Sequence, residues 1–149
     1  MRRALFALLA CMLLVVGSVS GALAGGGAPR VTTLSGAEEV PPRPGGSGFA
    51  EILLNVGQER VCWSITVSDI APATAAHIHR AAVGANGSVV VPLMPPPTSG
   101  SSSGCAEGVN SVLIQEIIDY PARFYVNVHN STYPSGAVRG QLSNRGQSE

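Results

Sequence analysis

Between Val31 and Leu142 the sequence is a succession of short β-branched and aromatic runs, each stopped by Gly, Pro, Asn or Ser. Such punctuation excludes a helical bundle and points to many short antiparallel strands joined by turns. Val31 to Leu34 forms a first run. After it, Ala37 to Gly48 carries three Pro and three Gly beside Glu38 and Glu39, which reads as a loop. Phe49 to Val56 and Arg60 to Val67, separated by Gly57-Gln58-Glu59, predict a hairpin. Its second strand alternates Val61, Trp63, Ile65 and Val67 with Cys62, Ser64, Thr66 and Ser68, so Trp63 is expected to anchor the core.

Ala75 to Arg80 and Ser88 to Leu93 are further strands across the turn Gly84-Ala85-Asn86-Gly87, and Pro92 marks the second as lying on an edge or as reaching its end there. Pro95 to Gly104 reads as a Pro- and Ser-rich loop. It matches Gly-x-Ser-x-Gly at Gly100 to Gly104, but without the strand and helix that a nucleophile elbow requires. One helix is expected, at residues 110–119, with Asn110 as its cap, Leu113, Ile114, Ile117 and Ile118 at helical spacing, and Pro121 as its stop. Arg123 to His129 and Ala137 to Leu142 close the domain. The sum is one all-β domain, an antiparallel β-sandwich of seven to eight strands with one short helix.

The N-terminus is of another kind. Arg2 and Arg3 precede a 13-residue apolar run, Ala4 to Val16, and Ala22-Leu23-Ala24 offers small residues for cleavage. Residues 1–24 are expected to be a cleaved signal peptide, too short an apolar run for a spanning helix. A flexible leader at 25–30, a domain at 31–142 and a flexible tail at 143–149 would follow. The expected location is secreted, extracellular or periplasmic, without stable membrane insertion. The mature chain keeps Cys62 and Cys105, an even pair in an oxidising compartment with no Cys or His at ligand spacing beside either, so a disulfide is expected. It also keeps seven Arg against nine acidic residues and no Lys, with no basic cluster, which speaks against a nucleic-acid partner.

Candidate site residues come from alternation. If Phe124, Val126 and Val128 face the core, then Tyr125, Asn127 and His129 share the other face, as do Arg139 and Gln141 on the last strand. His77 and His79 likewise share one face, so all three histidines are expected on outward-facing positions. Two imidazoles at i and i+2 on a strand can reach one ion, with His129 as a third ligand, and imidazole suits copper or zinc.

Four motifs carry a family resemblance: Leu34-Ser35-Gly36-Ala37-Glu38-Glu39-Val40-Pro41-Pro42, Ala76-His77-Ile78-His79, Tyr125-Val126-Asn127-Val128-His129, and Pro134-Ser135-Gly136-Ala137-Val138-Arg139-Gly140-Gln141-Leu142. In that order they resemble the CHRD domain, the module named after chordin, which also occurs as a free-standing secreted bacterial protein. One departure is Arg80-Ala81-Ala82, where the family often has Gly. The resemblance implies an immunoglobulin-like sandwich and no agreed biochemical activity.

Two functional readings follow, and neither is enzymatic. The first is an extracellular interaction module whose face of Tyr125, Asn127, Arg139 and Gln141 contacts an unknown extracellular protein or saccharide. The second is a copper or zinc site at His77, His79 and His129, on a His-x-His strand similar to that of copper-zinc superoxide dismutases. Those enzymes use more His than this chain has, together with an Asp, and Asp69 and Asp119 are the only Asp here, so dismutase chemistry is not expected. No Ser-His-Asp arrangement or paired carboxylates suggest a hydrolase. The pattern Asn-x-Ser/Thr occurs at Asn86 and Asn130, and Glu38-Glu39 is a candidate partner for Arg139.

Overall fold

The computed structural model describes residues 26–144. The expected signal peptide at 1–24 and the last five residues of the tail lie outside the described residues. Nine strands and one α-helix follow in the order β1 (Ala28–Ser35), β2 (Ser47–Asn55), β3 (Arg60–Ser68), β4 (Ala73–Arg80), β5 (Ser88–Pro92), β6 (Ser101–Ala106), α1 (Ser111–Asp119), β7 (Phe124–Asn130), β8 (Val138–Gln141) and β9 (Ser143–Asn144). All pairings are antiparallel, in the order β5-β4-β7-β8-β1-β2-β3-β6, with β9 beside β1. The all-β sandwich expectation holds, with the strands hydrogen-bonded into one continuous sheet that curls around a single core.

The hairpin forms as its alternation requires. Ala50, Ile52 and Leu54 of β2 stand opposite Ile65, Trp63 and Val61 of β3, and all six are buried. From the facing half, Ala76 and Ile78 of β4, Phe124, Val126 and Val128 of β7 and Val138 of β8 enter the same core. Helix α1 starts at Asn110, whose side chain accepts from the backbone N–H groups of Val112 and Leu113, and it buries Ile114 and Ile117. Arg30 of β1, itself buried, donates to Ile118 O and so closes the far end of that helix.

Three expectations need correction. Residues 28–30 are not leader: Ala28 pairs with Leu54 and Arg30 with Ile52, so β1 begins where β2 still offers a partner. Ser143 and Asn144 are not tail, because they pair with Val31 and Arg30 as β9. The Ser-rich segment is not all loop, since Ser101 to Ala106 pairs in register with β3 as β6. Its side chains carry little strand preference. The pairing is fixed by the Cys62–Cys105 disulfide, which joins directly opposed residues, and by Gly104, whose missing side chain leaves room for Trp63. The predicted disulfide is therefore present, and Trp63 is the core anchor expected of it.

Candidate functional site

β4 lies beside β7, with His77 opposite Asn127, His79 opposite Tyr125 and Ala75 opposite His129. β8 continues the sheet, with Arg139 opposite Asn127 and Gln141 opposite Tyr125. Directly opposed residues point to the same side of a sheet. The register therefore gathers His77, His79, Tyr125, Asn127, His129, Arg139 and Gln141 into one polar stripe on the side away from the core. Alternation placed each residue on the correct face of its own strand; only the pairing of β4 with β7 makes one site of them.

This stripe is not the solvated face that alternation suggests. Tyr125, Asn127 and Arg139 are each 2% exposed, and every residue of β7 is buried. Loops cover it. Gly87 N–H donates to the Tyr125 hydroxyl at 3.1 Å. Arg139 donates to Asn86 Oδ1 at 3.2 Å and to Ala85 O at 3.0 Å, and its guanidinium lies 3.7 Å from the centre of the Tyr125 ring. Gln141 donates to Ala81 O and Ala122 O. Tyr125, Arg139 and Gln141 thus hold loops down, and an open contact face of these three with Asn127 is not what the chain presents.

Asn86 and Asn130 also have structural duties: the Asn86 amide donates to Val40 O, while buried Asn130 donates to Ala71 O and accepts from Tyr133 N–H. Glu39, expected to pair with Arg139, is 3% exposed and near that cation, but the Arg139 N–H groups go to the loop acceptors instead. Its carboxylate oxygens and Asn127 Nδ2 occupy the space that a side chain on Gly136 would fill, 2.5 to 2.7 Å from the Cβ position. Burial pushes the Glu39 carboxyl up to about 7, against the opposing pull of Arg139 and Arg43.

The three histidines converge. One ring nitrogen from each of His77, His79 and His129 lies within 4.8 Å of the other two. His79 Nδ1 is 3.0 Å from Gly87 O and His129 Nδ1 is 3.0 Å from Pro134 O. A carbonyl only accepts, so both Nδ1 atoms carry the hydrogen and both Nε2 atoms present lone pairs. His77 Nδ1 stands 3.1 Å from His129 Nε2 and must then donate to it. The same logic leaves His79 Nε2 a buried acceptor without a partner. Burial lowers all three imidazole pKa values below the ordinary range, aided at His77 and His129 by the neighbouring rings, and His129 falls to about 4.

Chemically this is a donor set of three neutral imidazoles, two of them oriented through hydrogen bonds to backbone carbonyls. Metal-ligating histidines are commonly held by such outer bonds, which fix tautomer and ring direction. Three nitrogens at about 2.0–2.1 Å from one ion sit about 3.4 Å apart, so small ring rotations close the set. His77, only half-buried, leaves one side of it open to solvent. The carbonyls of Gly87 and Pro134 escape sequence reasoning because backbone acceptors carry no residue signature; their positions in turn segments were the only available hint.

Comparison with known proteins adds one match. A family model described as CHRD domain covers residues 30–142. No curated protein and no solved structure matches the chain.

Proposed function

The chain belongs to the CHRD domain family, and from that premise we propose that it is an extracellular binding module whose ligand is a divalent first-row cation, copper or zinc, held by His77, His79 and His129. One observation carries the reading: one ring nitrogen from each of the three histidines lies within 4.8 Å of the others, and the hydrogen bonds of His79 and His129 to Gly87 O and Pro134 O leave both Nε2 atoms with a lone pair, that of His79 buried without a partner. An unpaired buried acceptor is costly, and a cation that accepts its lone pair removes that cost.

All-nitrogen donors suit Cu(II) and Zn(II) and disfavour Mg(II) and Ca(II), which take oxygen. With three protein ligands the ion keeps a further position for water or an exogenous group, toward the half-buried His77. The CHRD match and the disulfide support an oxidising, extracellular setting. Among the described residues no helix is long and apolar enough to cross a membrane. A protein or saccharide partner would meet the covering loops, since the stripe beneath them is buried.

Calorimetric titration of metal-stripped protein with Cu(II) and Zn(II), beside a His77→Ala/His79→Ala variant, tests the reading. Binding of one ion that the folded variant loses supports it. A correctly folded protein that binds neither ion overturns it.

A further inference from the structure

β6 ends the sheet: it pairs with β3, and no strand lies beyond it among the described residues. Packing holds it weakly. Ser101, Ser103 and Cys105 point outward and are exposed, while the alternate residues that face inward are Ser102, Gly104 and Ala106. Of these only Ala106 packs against the hydrophobic core, and only in part. Gly104 stands opposite Trp63, so the strand lies on the indole with no side chain of its own at that point. Two polar atoms of this region, Ser102 Oγ and Trp63 Nε1, are buried without a hydrogen-bond partner.

Beyond the ladder itself, the ends of the strand are tied by the bonds of Val67 N–H to Gly100 O and of Val109 N–H to Glu59 O. An ion pair between Arg60 and Glu107, at 3.8 Å and open to solvent, adds little. The covalent link is therefore the main fastening, and it sits where a reductant can reach it. Cys105 is exposed on the outer face of the sheet, and Cys62, directly opposite, is half-buried.

We propose that the Cys62–Cys105 bond is an exchange site for a dithiol reductant, and that its reduction detaches β6 alone, uncovering Trp63 and the edge of β3. The attacking thiolate bonds to Cys105 Sγ, the more exposed sulfur, and Cys62 leaves as a thiolate that takes a proton from water. The second thiol of the reductant then attacks the mixed disulfide. The reductant closes its own disulfide, Cys105 is released as a thiolate that is protonated in turn, and two electrons have passed to the protein. Detachment gives water to Ser102 Oγ and Trp63 Nε1, which offsets part of the lost ladder. β3 keeps its nine-residue pairing with β2, and β4, β7 and β8 share no pairing with β6, so the rest of the fold stays in place.

The test treats the oxidised protein with dithiothreitol in native buffer and traps free thiols with iodoacetamide. Amide hydrogen exchange is then read segment by segment, beside the Trp63 emission spectrum. The expected result is alkylation of both cysteines without denaturant, loss of exchange protection confined to β6 and the β3 amides that face it, unchanged protection in β4, β7 and β8, and a red shift of the Trp63 emission. Alkylation that appears only at the rate of global unfolding overturns the proposal, by making the bond purely structural. So does a reduced protein whose β6 amides stay protected, or one that loses protection in β4 and β7 as well. Cys62→Ser/Cys105→Ser serves as a permanently reduced form and should show the same local loss; a variant that does not fold overturns the claim that β6 leaves alone.

Discussion

His77 Nδ1 and His129 Nε2 stand 3.1 Å apart, although 52 residues separate them in the chain. The contact exists because β4 and β7 are neighbours, and it fixes which nitrogens carry hydrogen in the metal-free protein. Long-range 1H–15N correlation spectra are expected to show Nδ1–H on His77, His79 and His129 alike. An Nε2–H form at His79 or His129 would contradict the carbonyl bonds to Gly87 and Pro134 on which the site rests.

Glu39 makes stability depend on pH in a direction unusual for a carboxylate. Its folded pKa, about 7, lies above the ordinary 4.5, so between these values the folded chain binds more protons than the unfolded one. The stabilisation is complete below pH 4.5 and is lost as pH rises through 7. A shift of this size corresponds to on the order of 3 kcal/mol. Arg139, Arg43 and Asn127 are the charged and polar groups around it. Chemical unfolding of wild type and Glu39→Gln at pH 4.5 to 8 checks this: the stability of the wild type relative to the variant should fall as pH rises. Parallel curves would refute the assignment.

The Cys62–Cys105 disulfide clips β6 onto β3 with a sequence separation of 43. Chain-entropy reasoning assigns a loop of this length about 4 kcal/mol. Cys62→Ser/Cys105→Ser should unfold at correspondingly lower denaturant while leaving metal affinity unchanged, because the bridge lies on β3 and β6, away from β4 and β7. Unchanged stability in the double variant would show that β6 is held by other means.

Gly104 has a narrower role. A Cβ there would sit 2.8 Å from Trp63 Cζ2, with further ring atoms behind it. Gly104→Ala is expected to cost about 1–3 kcal/mol, the range for overpacking, and to shift Trp63 fluorescence, since this is the only Trp in the chain. A variant as stable as the wild type would mean that β6 lies less closely on the indole.

These residues also mark how far local sequence reaches. The hairpin of β2 and β3, helix α1, the Trp63 anchor and the cysteine pair were legible because alternation, capping and cysteine parity are properties of neighbouring residues or of composition. β6 was not, because Ser101-Ser102-Ser103-Gly104 has no intrinsic strand preference and takes its form from the edge of β3. At the site, alternation put His77, His79 and His129 on the correct faces. It could not reveal that β4 pairs with β7, or that loops at Ala85–Gly87 and Pro134–Gly136 bury the stripe and orient the rings. Both depend on contacts between distant parts of the chain, which no local pattern encodes.

The central claim, that His77, His79 and His129 hold one metal ion, is tested most directly by crystals of the protein grown with one equivalent of Cu(II) or Zn(II) and measured at the corresponding absorption edge. The account predicts a single anomalous peak among the three rings, about 2.0–2.1 Å from one nitrogen of each, with the Nδ1 bonds of His79 and His129 to Gly87 and Pro134 intact. A fully folded molecule with no peak there, or with the ion bound by fewer than two of these histidines, would contradict it.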